Sequence, residues 1–278
     1  MKVTILGASG LLGKALMREW TEDEIVGLGS RDVDIRDLDK VREMVEKTRP
    51  GWIVLAAAYT NVDDCENHPD RALAVNRDGA VNVANAAKLT GAKLLFLSSD
   101  YVFDGKKTSP YETEDVRNPQ SVYGRSKAEA EVRLLEVLPE CCIARTSWLF
   151  GTGGKCFPDT ILKLAASRPA LDVVNDQRGC PTYSVDLARA IIKLCRNQAS
   201  GIVHTTNSGD CSWFEFAREI VKGAKLATEV RPVSSQQMAR PAPRPAYSVL
   251  SAKSLQQYGI VVPTWQDALE RYLRERKR

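Results

Sequence analysis

The feature that most limits what this chain can fold into is Gly7-Ala-Ser-Gly10-Leu-Leu-Gly13. It follows a short apolar run, residues 2–6, that reads as a strand, and it opens an amphipathic stretch, residues 10–20, that reads as a helix. In that context the three glycines have separate uses. Gly7 permits a tight turn, Gly10 lets backbone amides approach a pyrophosphate, and Gly13 lets the helix pack closely on the sheet. The first helical turn, with Leu11 and Leu12, then points its partial positive charge at the phosphates of a dinucleotide.

A turn of this kind belongs in a parallel sheet with crossover helices, and the next residues supply one. Strands are expected at residues 2–6, 24–28, 52–55, 93–97 and 141–145, and helices at 10–20, 38–48, 69–89 and 119–138. The expected class is therefore α/β, a Rossmann-type doubly wound parallel sheet. Beyond residue 150 the alternation becomes irregular, with helices expected at 158–167, 185–197, 212–222 and 265–276 and a strand near 202–206. Ser212 followed by Glu215 reads as a capping box. We expect a dinucleotide domain over residues 1–150, with segments near 180–207 returning to it. A smaller mixed α/β lobe for substrate is expected over 151–179 and 208–278.

The second strand ends in Gly27-Leu-Gly-Ser30-Arg31, where the adenosine ribose is normally read. Arginine there suits a 2′-phosphate, so NADPH is the expected cofactor, with NADH allowed because Asp32 is adjacent. Ser30, Asp34 and Ile35 would border the adenosine. Ala56, Ala57, Ala58 and Tyr59, after the third strand, would run beneath the cofactor.

Tyr123-Gly-Arg-Ser-Lys127 places a phenol and an ammonium four residues apart on one helical face. A nearby ammonium lowers the phenol's pKa, which makes Tyr123 an acid usable near neutrality. Lys127 is also placed to bind the nicotinamide ribose. One βα unit earlier, the fourth strand ends in Ser98-Ser99-Asp100-Tyr101. The Ser99 hydroxyl would face the ligand crevice and bind the oxygen being reduced; capping the following turn is the rival role. The acid run Asp63-Asp64-Cys65-Glu66 reads as helix-start chemistry before Pro69 rather than a metal site. Asn76, a polar residue in an apolar helical pattern, either fixes the active-site end of the sheet or satisfies local backbone.

Composition removes other classes. A formal charge of +4 is too small to imply nucleic acid, and the basic end from Arg271 to Arg278 reads as a solvated last helical turn. No apolar run is long enough for a membrane span or signal peptide, and seven scattered cysteines without a CxxC pair read as buried thiols. A cytoplasmic location is expected. Two histidines leave little material for a metal site or a Ser/His/Asp arrangement.

Longer segments carry a narrower resemblance. Leu97-Ser-Ser-Asp-Tyr-Val-Phe-Asp-Gly105, Ala56-Ala-Ala-Tyr-Thr60, Arg145-Thr-Ser-Trp-Leu-Phe-Gly151, Asp176-Gln-Arg-Gly-Cys-Pro-Thr182 and Ser248-Val-Leu-Ser251 resemble the dTDP-4-dehydrorhamnose reductases, within the extended short-chain dehydrogenases. The resemblance implies a dTDP-sugar partner whose 4-keto carbon receives hydride while Tyr123 protonates the oxygen. It also implies Ser99 in place of the family's threonine, Asp100 and Trp148 against the sugar, and Arg240 near the nucleotide. Tyr247 stands where the family usually carries asparagine. Some members dimerise through a carboxylate-bound metal, but Ala15 occupies that ligand position, so a monomer without a metal requirement is expected, a dimer being the alternative. The regulatory β subunit of methionine adenosyltransferase resembles the same family, so a non-catalytic NADP-binding role is the competing expectation. Reduction of another nucleotide 4-keto-6-deoxy sugar is a further one.

Overall fold

The computed structural model describes residues 1–276. Five strands, β1 (Lys2–Leu6), β2 (Glu24–Leu28), β3 (Trp52–Leu55), β4 (Lys93–Ser99) and β5 (Cys142–Thr146), join Gly201–His204 in one six-stranded sheet. The spatial order is 201–204, β5, β4, β3, β1, β2, and every pairing is parallel. Because β2 lies on one side of β1 and β3 on the other, the order reverses at β1. Open α/β sheets bind their ligands in the crevice at such a point.

Both faces of the sheet are covered, which is why its strands read as unbroken apolar runs. On one face Val3, Ile5, Val54, Leu95 and Ala144 pack against Leu12, Leu16, Leu187 and Ile191 of the helices Leu11–Glu19 and Ser184–Arg196. On the other, Ile53, Leu55, Phe96 and Ile143 meet Val41, Val45, Val83, Ala87 and Leu134 of the helices Leu38–Thr48, Gly79–Thr90 and Val122–Val137. Each fully buried aliphatic side chain contributes roughly 1.5–3 kcal/mol.

The expected long helix over 69–89 is broken in character. Pro69–Leu73 runs through a π-helical segment, Ala74–Asp78, into Gly79–Thr90. The acid run does not start that helix. It occupies a separate short helix, Val62–Asn67, capped by Asn61, whose side-chain oxygen accepts the Asp64 amide at 3.3 Å.

The lobe is built on a two-stranded parallel ribbon, Ala170–Val174 with Glu229–Val233, which the sequence pattern did not suggest. Helices Phe157–Ala165, Trp213–Gly223 and Trp265–Glu275 bury Ile161, Phe216, Ile220, Ala268 and Tyr272 against it. The Ser212–Glu215 capping box forms as expected, with reciprocal bonds of 3.1 and 2.7 Å. The segment around the short helix Lys253–Gln256 differs from its expected place in the lobe, because Leu255 and Ile260 pack into the main-sheet core. Arg271 clasps Asp186 with bonds of 2.9 and 2.6 Å, fixing the last helix to the main domain. Residues 277 and 278 of the expected basic turn lie outside the described residues.

Candidate active site

At the end of β1, Gly7 adopts φ +93°, and a Cβ there would stand 2.6 Å from the Ala57 amide nitrogen. A Cβ on Gly13 would stand 2.1 Å from the Gly7 carbonyl oxygen. Both positions therefore exclude any side chain, and the turn is pressed against the segment that follows β3. Gly10 caps the helix Leu11–Glu19 without a side-chain bond, leaving its first amides free for phosphate oxygens. Leu12 is buried in the core, so its contribution to such a site is its backbone, whereas Leu11 leans on the lobe.

A cleft of about 280 Å³ runs from this turn along the ends of β1, β2 and β3, and it suits an adenosine ribose. Gly7, Ser30, Asp34, Ile35, Ala57, Ala58 and Tyr59 line it, as expected from the sequence, and Ala56 is tied to β1 through a 2.9 Å bond from its amide to the Leu6 carbonyl. Arg31 is exposed and stands outside the lining; the cation in the cleft is Arg36. The cause is local: the Asp32 carboxylate accepts the Gly29 amide at 2.7 Å and turns the loop, bringing Arg36 onto Asp34 with three contacts of 2.6 to 3.1 Å. Hydrogen bonds from Arg36 pull the Asp34 carboxyl down to about 2. Arg71 adds a second cation, its guanidinium 4.6 Å from the Tyr59 ring centroid.

Asn76 resolves in favour of the active-site role. From the π segment its side chain accepts the Tyr59 amide at 2.7 Å and donates to the Tyr59 carbonyl at 3.0 Å and the Ser126 hydroxyl at 2.9 Å. One buried amide thus joins the cofactor cleft to the helix bearing Tyr123 and Lys127.

Ser99 ends β4, donates to Asp100 at 3.0 Å and accepts the Tyr101 amide at 3.2 Å, so it also caps the following turn. Asp100 is buried, takes a second bond of 2.6 Å from Ser248, and is pushed up to about 6 by its burial. Tyr123 stands edge-on to Tyr101 with ring centroids 5.6 Å apart. One expectation needs correction here. Burial raises the Tyr123 phenol, the Ser99 hydroxyl is the group that opposes this, and the Asp100 charge adds to the rise. Lys127 is not among the groups that lower it; its own ammonium lies 4.1 Å from the Phe96 ring centroid, and burial pulls it down to about 7.

Beyond Tyr101 opens a cavity of about 840 Å³ between the main domain and the lobe. Tyr101, Gln177, Trp213, Arg240 and Arg244 are among its walls. Trp148, expected against the sugar, is not in the lining: it adopts φ +46° and stacks on Trp213 at 3.5 Å, leaving Trp213 as the exposed face. Arg240 is in the wall, 3.7 Å from Asp63, and Arg244 grips the same carboxylate at 3.0 and 2.9 Å. Burial raises Asp63, but the Arg244 bonds outweigh it and hold the carboxyl below its ordinary value. Asp63 therefore anchors the proline-rich loop. Trp213, Tyr101, Arg244 and Arg36 were missed in the sequence; the capping box placing Trp213 at a helix start was the one usable signal.

A glycine cradle at the switch point of a parallel sheet, with Ser99 ending β4 and Tyr123 and Lys127 on the helix that follows, is the arrangement of a Rossmann-type short-chain dehydrogenase/reductase. The comparisons narrow this. The family model described as "RmlD substrate binding domain" matches residues 1–278, and the chain belongs to that family. A spore coat polysaccharide biosynthesis protein of Bacillus subtilis is 41% identical over 99% of this chain and 98% of its own length. A dTDP-4-dehydrorhamnose reductase of Sinorhizobium fredii is 37% identical over 98% of this chain and 96% of its own. The solved structure of the dTDP-4-dehydrorhamnose reductase of Bacillus anthracis, in complex with NADP, superposes with a TM-score of 0.96 at 40% identity, covering 99% of this chain and all of the other.

Proposed function

We propose that the chain reduces the 4-keto group of dTDP-4-dehydrorhamnose to give dTDP-L-rhamnose, with NADPH as the preferred reductant and NADH as a second. The observation that carries this is Tyr101, which packs edge-on to Tyr123 and also walls the cavity shared with Trp213 and the two arginines, while the glycine cradle opens the cleft at the end of β1. The cleft at Gly7 and the backbone of Leu11–Gly13 hold the dinucleotide, which when bound supplies the hydride for the keto carbon. Ser99 turns its one hydroxyl proton from Asp100 to the keto oxygen, and Tyr123 gives that oxygen its proton as the C–H bond forms. A phenol held well above neutrality keeps its proton until the developing alkoxide takes it. Lys127 binds the nicotinamide ribose. Arg240 and Arg244 face the diphosphate of the sugar nucleotide, and Trp213 offers an aromatic wall. Among the described residues no helix is long and apolar enough to cross a membrane, and a cytoplasmic, dTDP-sugar-using enzyme is the reading we adopt.

The test is loss of NADPH absorbance on adding dTDP-4-dehydrorhamnose, with the product identified by mass and NMR. Turnover confined to another dTDP-4-keto-6-deoxy sugar would move the substrate. NADPH binding without turnover of any keto sugar would favour the regulatory-subunit reading instead.

A further inference from the structure

Beneath the trio lies a carboxylate to which the reading above gives no role. Glu131 is fully buried, one helical turn beyond Lys127 and two beyond Tyr123, so the three share one face of the helix Val122–Val137. Its Oε1 accepts from the Ser98 hydroxyl at 2.5 Å and from Arg145 Nε at 2.9 Å. Its Oε2 accepts from an Arg145 terminal nitrogen at 2.7 Å and from Arg117 Nε at 2.7 Å. Arg145 is itself fully buried and stands opposite Ser98 in the pairing of β5 with β4.

We propose that Glu131 is a positioning residue for the reduction: through Ser98 and Arg145 it holds the helix face of Tyr123 and Lys127 against the end of β4, and its charge keeps Lys127 an ammonium. The proposal rests on reading Lys127 as a residue of the reaction.

Two observations support it. Ser98 adjoins Ser99, so the bond from Ser98 to Glu131 fixes the Ser99 hydroxyl relative to the phenol two turns back along the helix. The electrostatics point the same way. Lys127 is 2% exposed with its ammonium over the Phe96 ring, so burial discourages its charge, and Glu131 is the group that opposes this. Arg117 and Arg145 bring two positive charges to the one carboxylate, and each works against a third on Lys127.

Several other charged groups on elements packed against this helix have partners of their own. Glu66 accepts the Val122 amide, Asp63 holds Arg244, Arg71 lies on the Tyr59 ring, and Arg77 pairs with Asp78 and Glu129. Asp100 is bonded to Ser99 and Ser248 and bears on the phenol. Glu129 also lies 3.9 Å from Arg125. His204, 3.4 Å from Arg145, is held neutral by burial and by that arginine.

A buried ion pair alone is weak grounds for any role, since many are only struts. The experiment must therefore read charge. Two variants of the full chain, Glu131→Gln and Arg117→Gln, remove opposite charges from one cluster, and Arg117 is part-exposed, so its loss leaves the buried pair intact. In the NADP⁺ complex, the ε-ammonium of Lys127 is titrated by ¹⁵N-lysine NMR, assigned with Lys127→Met. In parallel the basic limb of the kcat–pH profile is followed with NADPH and the keto sugar. Glu131→Gln should move both downward in pH and Arg117→Gln should move both upward. The Coulomb interaction across one helical turn, at an effective dielectric between about 20 and 80, gives a displacement of about 0.5–2 pH units. Displacement of the two variants in the same direction, or of neither while both stay folded by circular dichroism, overturns the proposal. If Glu131→Gln does not fold, the upward displacement in Arg117→Gln decides alone. If the wild-type protein turns over no keto sugar, the functional reading fails, and the NMR titration still tests the charge of Lys127 on its own.

Discussion

Replacing Asn76 with alanine should loosen the cofactor cleft more than its distance from any phosphate suggests. The side chain makes three bonds of 2.7 to 3.0 Å, two to the Tyr59 backbone and one to Ser126, and the residue is 1% exposed. A typical intramolecular hydrogen bond is worth about 1 kcal/mol net, while a buried group left unpaired costs about 1–3 kcal/mol. Ser126 keeps its own bond to the Tyr123 carbonyl at 2.7 Å, so the Tyr59 amide and carbonyl are the groups stranded. A water entering the space would relieve part of that, which puts the loss at about 2–4 kcal/mol. Urea unfolding reads the stability, and at roughly 2–4 °C per kcal/mol the thermal midpoint should fall by about 5–15 °C. Because Tyr59 lines the cleft, the KM for NADPH should rise alongside, with kcat changing less. A loss under about 0.5 kcal/mol with an unmoved KM would refute the reasoning, since it would mean the bonds are matched by water in the unfolded chain and fix nothing.

Tyr123→Phe should cut turnover by about 10²–10⁴-fold while cofactor binding, read by fluorescence titration, stays close to wild type; a variant keeping most of its activity would remove Tyr123 from the proton step. Arg36→Ala should weaken NADPH more than NADH, about ten- to a hundredfold, whereas Arg31→Ala should leave the ratio unchanged, and a reversed pattern in direct binding would return the 2′-phosphate to Arg31. His204 is buried with its pKa lowered to about 4 by burial and by Arg145, against an unfolded value near 6.5. Between those values the unfolded chain binds a proton that the folded one refuses, so stability should fall by up to about 3 kcal/mol as pH drops from 6.5 to 4, a slope that His204→Phe should flatten. Ala15 is buried and Lys14 donates to the Gly153 carbonyl at 2.6 Å, so light scattering should give a monomer whose mass and activity are indifferent to EDTA. A dimer that dissociates on chelation would overturn that.

What was legible in the sequence was what short-range sterics dictate. Gly7 and Gly13 sit where no Cβ fits, and a strand before and a helix after them are enough to identify the turn. Tyr123 and Lys127 share a face by helical spacing alone. The charge relation between them was not legible, because the position of the Lys127 ammonium depends on Phe96, from a strand about thirty residues away, and on how deeply both are buried. Arg36 displaced Arg31 because a single bond from the Gly29 amide to the Asp32 carboxylate turns the loop. The ribbon of 170–174 with 229–233 joins segments some sixty residues apart, and Glu229, Arg231 and Pro232 give the second strand no apolar signature. Trp213 was hidden for a related reason: the stacking of Trp148 on it decides which indole meets the cavity, and that is set by the left-handed backbone at Trp148.

The short helix Val62–Asn67 holds two parts of the site at once. Glu66 accepts the amide of Val122, the first residue of the helix bearing Tyr123 and Lys127, at 2.8 Å, and Asp63 holds Arg244 and the Ala242 amide. On the function proposed above, the loop that would grip the sugar nucleotide and the helix that would deliver the proton are therefore fastened to the same six residues. A substrate that pulls on Arg244 applies its force one turn away from the fastening of the proton donor. Fit of the nucleotide and alignment of the phenol thus become a single mechanical variable, and a sugar bound by its diphosphate alone, without seating that loop, would find the acid out of register.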